Sequence, residues 1–190
     1  MRDAILEKAE QQLMLGGYDK LNFASIAKEL NTTRANLHYH FKNKETLAIE
    51  VTRQYTARYT VEFERLRKTF FGNVDGFFQA VEEMMWLHSH GGDDGKPAAC
   101  VNLAADPDIP ESIAQMTRES YSQIEATLTG VVQDAIDNKE FKADVDAVRE
   151  ANRCHVLMMG INGCGQHLIS VGVAKQKFGG LIMDWVNSLK

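Results

Sequence analysis

Apolar residues recur at intervals of three and four along almost the whole chain, and the strict alternation of a half-buried strand is almost absent. That periodicity predicts an all-helical protein. The first helix carries Ile5, Leu6, Ala9 and Leu13 on one face and stops at Gly16-Gly17, a residue type suited to the left-handed position after a helix. Asn22 is placed to cap a short second helix with Phe23, Ile26, Ala27 and Leu30 facing inward. Asn31-Thr32 then turns the chain, Thr33 caps a third short helix, and Leu37 and Phe41 are its inward residues. From Asn43 a far longer pattern runs through Leu47, Val51, Tyr55, Tyr59, Phe63, Leu66 and Phe70 to Gly72-Asn73. Further helices are expected over Phe77 to His88, over Ile113 to Ile136, from a cap at Asp144 to about Ser170, and through Phe178, Leu181, Ile182, Trp185, Val186 and Leu189. The run Gly91-Gly92-Asp93-Asp94-Gly95 and the pair Pro107 and Pro110 mark breaks between them.

Composition narrows the class. With 190 residues, 44% of them apolar and 25% charged, the chain is long enough to bury roughly 70% of its unfolded surface in a folded core. Three cysteines leave no disulfide framework, so a reducing cytoplasm is the expected compartment. No stretch approaches the ~20 apolar residues of a membrane span, and no apolar signal segment opens the chain, so no membrane partner is expected. The net charge of −5 argues against a protein basic all over, but it is unevenly spread. Residues 1–60 hold 9 Lys and Arg against 7 Asp and Glu, and the remainder holds 12 against 19, a mildly basic head on an acidic body.

The head carries the chemistry. Residues 22–41 form two short helices joined by a tight turn, the helix-turn-helix layout. On the second, Arg34, Asn36, Tyr39 and His40 are interleaved with inward Leu37 and Phe41, and all four donate hydrogen bonds. An α-helix fits the DNA major groove, where Arg bonds guanine, Asn bonds adenine, and the methyl of Ala35 or Thr33 packs on thymine. Lys42 and Lys44 stand beside the start of the long helix, where ammonium groups attract phosphate. Read from periodicity alone, the same residues also suit a solvated three-helix subdomain that touches no DNA.

The run Ser25-Ile26-Ala27, Leu30-Asn31-Thr32-Thr33-Arg34-Ala35-Asn36-Leu37-His38-Tyr39-His40-Phe41 and Lys42-Asn43-Lys44-Glu45-Thr46-Leu47 closely resembles the DNA-binding region of the TetR family of bacterial transcriptional regulators. The likeness reaches back through Tyr18, Gly17 and Ala9 to Ile5. It departs at Asn31, where the family carries glycine, and at His38, where it carries tyrosine. Asparagine tolerates the left-handed turn, and histidine in place of tyrosine implies a weaker, pH-dependent phosphate contact. The resemblance implies an all-α protein whose N-terminal three-helix helix-turn-helix domain, residues 1–48, is joined by a long helix to a C-terminal ligand-binding and dimerisation domain, residues 49–190. It further implies that Thr33, Arg34, Ala35 and Asn36 read bases, that Tyr39, His40 and Lys44 contact the backbone, and that a homodimer binds a palindromic operator on double-stranded DNA. Most such proteins are repressors released by a small effector, with no cofactor.

In the body, methionines and polar side chains suit an adaptable effector pocket. The candidates are Met84, Met85, Trp86, His88, Cys100, Asn102, Met116, Tyr121, Met158 and Asn162, each equally suited to plain core. Gly160, Gly163 and Gly165 fit a helix approached by another backbone, and with Phe178, Leu181, Ile182, Trp185 and Leu189 they suggest a dimer interface or, alternatively, packing within one subunit. Cys100 invites a redox or electrophile-sensing alternative. His88, His90 and Cys100, or Cys154, His155, Cys164 and His167, invite a metal-sensing one. A helical enzyme is the rival from another class, but the chain has no phosphate-binding glycine loop, no H-E-x-x-H, no nucleophile elbow and no C-x-x-C pair.

Overall fold

The computed structural model describes residues 1–87, 109–165 and 170–190, and the regular structure among them is helical throughout. The helices are α1 (Arg2–Lys20), α2 (Phe23–Glu29), α3 (Arg34–His40), α4 (Lys44–Thr69), α5 (Val74–Leu87), α6 (Glu111–Asp137), α7 (Ala147–Gly165), α8 (Val171–Phe178) and α9 (Leu181–Ser188). None of these described helices is long and apolar enough to cross a membrane. The described residues fall into two compact units, 1–58 with 109–120 and 59–87 with 121–165 and 170–190.

In the first unit α2 packs against both α1 and α3. Its buried side chains are the expected ones: Ile5, Leu6, Ala9 and Leu13 from α1, Ile26 and Ala27 from α2, then Leu37, Phe41, Leu47 and Val51. The three-to-four spacing puts each set on one helix face, which is why so small a unit buries a continuous interior. Ion pairs Arg58–Glu10 at 2.6 Å and Arg2–Glu50 at 3.3 Å tie α4 to α1 at the rim. Gly17 departs from helical geometry with φ 75° and ψ −177°, so α1 proper ends where the glycine pair predicts and a final short turn leads to Leu21. That backbone region is open essentially to glycine alone.

The second unit is built around aromatic rings. Phe77 and Phe78 on α5 meet edge to face at 4.9 Å, Phe63 of α4 reaches Phe77 at 6.4 Å, and Trp185 of α9 meets Phe78 at 5.0 Å. Such edge-on pairs combine large apolar burial with favourable ring electrostatics. Helix ends are closed by distant carboxylates: Glu140 Oε2 accepts from the Val74 amide at 2.7 Å, and Glu82 Oε1 accepts from the Gly180 amide at 2.7 Å.

Two boundaries differ from the periodicity. The cap of α7 is Asp146, whose Oδ1 accepts from the Arg149 amide at 3.0 Å, and not Asp144. The final apolar pattern is split into α8 and α9 by Gly179 and Gly180, the latter left-handed at φ 85°. Ile182, Trp185, Val186 and Leu189 are buried inside their own subunit's core, so they are not a free face for a partner.

Candidate functional site

Local chemistry sets the helix-turn-helix. Asn22 Oδ1 accepts from the amides of Ala24 and Ser25 at 2.8 and 3.2 Å, fixing the start of α2. Asn31 takes the left-handed conformation at φ 48°, as its short polar side chain permits, and the Thr32 amide bonds back to the Ala27 carbonyl at 2.9 Å. Thr33 Oγ1 accepts from the Asn36 amide at 3.2 Å and caps α3. With Leu37 and Phe41 buried, α3 is anchored by one face and turns the other outward.

That outer face carries the predicted residues. Thr33, Arg34, Ala35 and Tyr39 are exposed, Tyr39 to 84%, while Asn36, His40 and Lys44 are half-buried. The Tyr39 and His40 rings meet edge-on at 5.2 Å. Asn36 is turned back, its Nδ2 donating to Thr32 Oγ1 at 2.9 Å. Lys44 holds its ammonium 4.3 Å above the Tyr18 ring and donates to the Asp19 carbonyl at 3.5 Å. Burial first, then the neighbouring Glu45 and Asp19 charges, pushes the Tyr18 phenol above its ordinary pKa.

Beside this face lies an open groove of about 460 Å³, lined by Arg34, His38, Asn43 and Lys44 together with Asn22, Phe23 and Asp19. Its polar lining and two cations suit an anion, and phosphate is the anion DNA offers. Asn22 and Asn43 entered the sequence reading only as helix-start residues. Their place on the groove follows from the fold, and the only sequence signal was that both stand at helix starts near basic side chains. His38, read there as a substitution, is exposed and sits on this groove with its ring 4.9 Å from Phe23 and Nδ1 3.1 Å from the Lys42 carbonyl.

Among the effector candidates, Met84, Met85 and Met158 come together with Trp86 in the buried core of the second unit. Tyr121 packs edge-on against His155 at 5.5 Å, and His155 Nδ1 lies 3.0 Å from Glu125 Oε1. Asn162 is half-buried on α7, and Met116 is half-buried in the first unit. His88, Cys100 and Asn102 lie outside the described residues, as do His90 and His167. Cys154 is buried, which drives its thiol far above the ordinary cysteine range, whereas Cys164 is exposed. Among the described residues no three His, Cys, Asp or Glu side chains gather as metal ligands would.

Among the described residues one face of α7 is unpartnered. Val148 and Val156 are 59% and 72% exposed, and a side chain built at Gly160 would meet open space. With Asn152, Arg149, Arg153 and Trp185, the two valines line an open groove of about 780 Å³. Two of its lining side chains are held by Glu150, which accepts from Trp185 Nε1 at 2.9 Å and from Arg153 at 2.8 Å.

Residues 5–51 match the tetR family of bacterial regulatory proteins. No curated protein matches the sequence. Among solved structures, a TetR-family transcriptional regulator from Agrobacterium tumefaciens is 19% identical with a TM-score of 0.82, covering 100% of this chain and 97% of its own. A TetR transcriptional regulator from Legionella pneumophila is 20% identical with a TM-score of 0.76, covering 100% and 97%. SmeT, solved as a complex with triclosan, is 16% identical with a TM-score of 0.69, covering 98% and 90%. At these identities the structures speak for the fold, and the match over residues 5–51 speaks for the head.

Proposed function

We propose that this chain, which belongs to the TetR family of bacterial regulatory proteins, is a transcriptional repressor that binds a palindromic DNA operator as a homodimer and is released by a small effector. The observation that carries this reading is the two-sided character of α3. Leu37 and Phe41 hold it down, while Thr33, Arg34, Ala35 and Tyr39 face outward beside a groove lined by Arg34 and Lys44. An α-helix about 10–12 Å across fits a major groove about 12 Å wide.

In this reading residues 1–48 recognise DNA. Arg34 donates its fork to a guanine edge, Thr33 and Ala35 offer methyl groups to thymine, and Asn36 reads adenine by exchanging its Thr32 bond for the base. Tyr39, His40 and Lys44 hold phosphates and set the register of the helix. One head makes few contacts, so a second copy is needed for specificity, and the unpartnered α7 face is the pairing surface.

Residues 49–190 sense and pair. SmeT, a protein of related fold, was solved as a complex with triclosan, and a small effector here would be bound by residues among the candidates Met84, Met85, Tyr121, Met158 and Asn162; His88, Cys100, Asn102 and Met116 are the further candidates. Release requires that the effector prefer the conformer that misplaces the heads. The activity is regulation rather than catalysis, in a cytoplasmic protein.

Selection of bound sequences from random duplex DNA tests the reading directly. Enrichment of a dyad-symmetric site is expected; no enrichment across a range of salt concentrations would refute it. On the selected site Arg34→Ala and Asn36→Ala should each lose about 1–3 kcal/mol of binding and relax preference at one position per half-site.

A further inference from the structure

We infer that Arg2 is a positioning residue for DNA recognition: its guanidinium clasps Phe41, the inward anchor at the end of α3, to Glu50 on α4, and so fixes the angle at which α3 meets the bases. The inference rests on the DNA-binding reading and adds to it a residue that acts without touching DNA.

The clasp joins three elements of the first unit. Arg2 Cζ stands 5.2 Å from the centroid of the Phe41 ring, and Arg2 Nη2 lies 3.3 Å from Glu50 Oε1. Glu50 is itself held, accepting from Gln54 Nε2 at 2.9 Å and from Arg53 Nη1 at 2.7 Å. A second pair, Arg58 with Glu10 at 2.6 Å, repeats the first with the charges exchanged between the helices. The two pairs stand eight residues apart on α1 and eight apart on α4, so the helices run parallel there in one register. A slip of one turn by either helix would part both pairs.

So short a recognition helix depends on how its ends are held. α3 has seven residues, about 10 Å of helix, and its buried side chains are Leu37 within it and Phe41 at its C-terminal cap. The turn at Asn31 and Thr32 sets its first end. The resting place of the Phe41 ring sets the other, and Arg2 lies over that ring. A cation above an aromatic face is attracted by the ring's quadrupole, and the Glu50 carboxylate keeps the guanidinium from swinging into solvent. A rigid helix pivots when one end shifts, and groups that read bases must be held to within about 0.5 Å. Phosphate contacts made by long side chains tolerate such a shift better, so loss of the clasp costs sequence recognition before it costs general DNA affinity.

The test measures the full-length chain by fluorescence anisotropy on its selected operator duplex and on a duplex of scrambled sequence. Arg2→Gln is expected to weaken operator binding about threefold to tenfold for each head, leaving the affinity for the scrambled duplex and the log–log salt slope unchanged. Glu50→Ala separates positioning from charge by its sign. Removing an anion and freeing Arg53 tightens binding to a polyanion on charge grounds alone, whereas loss of the clasp weakens it. The expected results are weaker operator binding by Glu50→Ala and a double variant no worse than Arg2→Gln alone. Tighter operator binding by Glu50→Ala would overturn the clasp, as would unchanged operator binding by Arg2→Gln. So would an equal loss by Arg2→Gln on both duplexes, or a salt slope flattened by about 0.9 for each head, since these are the marks of a damaged fold and of a lost phosphate contact. If wild-type protein selects no operator, the DNA-binding reading itself falls.

Discussion

Asn22 and Thr33 show how single side chains shape the recognition element. Each replaces a missing backbone partner with its own oxygen at a helix start, an interaction spanning two or three residues. Because it is so local, it is legible without a fold. Asn22→Ala should lower stability by about 1 kcal/mol, visible as a lower melting temperature in thermal denaturation. Asn36 is the contrary case. Its identity suits adenine, but only the structure shows that its amide is already spent on Thr32, so the proposed base contact would exchange one hydrogen bond for another. His38 likewise has a legible identity, and the Lys42 carbonyl 3.1 Å from its Nδ1 comes from the way the chain leaves α3.

At the scale of elements, periodicity located helices well and their interruptions less evenly. Gly17 ends the regular part of α1 as the glycine pair predicts, since its φ of 75° with an extended ψ excludes side chains. Gly17→Ala is expected to cost about 1–3 kcal/mol by urea denaturation, against a gain of up to about 1 kcal/mol if the position were helical. The break between α8 and α9 was not legible, because Phe178, Leu181 and Ile182 keep the same three-to-four spacing across it. What makes the break is Gly180 in a left-handed turn with its amide held by Glu82, almost a hundred residues earlier in the chain. Asp144 and Asp146 stand two apart and are equal as caps by residue type, and only the backbone path selects Asp146.

At the scale of the whole molecule, the net charge of −5 conceals a head of +2 and a body of −7. Such a division concentrates phosphate affinity in the recognition unit and limits non-specific adhesion by the remainder. The proposed pairing is the other matter at this scale. The stripe of Ile182, Trp185 and Leu189 is consumed by the subunit's own core, which among the described residues leaves the α7 face of Val148, Val156 and Gly160 open for the proposed second copy. Val156→Asp should leave helix content unchanged because the residue is exposed. It should weaken self-association by about 2 kcal/mol, roughly thirtyfold, in sedimentation equilibrium, with a parallel loss of operator binding. A variant that still sediments like wild type would remove α7 from the interface.

The sequence by itself determined the helical class, the helix-turn-helix with its caps and anchors, and the outward residues of α3, because all of these follow from contacts between residues three or four apart. Tertiary structure alone decided which apolar stripe is core and which face stays open, where Asn22 and Asn43 join Arg34 and Lys44 on one groove, and that Met84, Met85 and Met158 meet in one interior. Those outcomes depend on which helix packs on which, and a periodic pattern says that a face must be buried without saying against what.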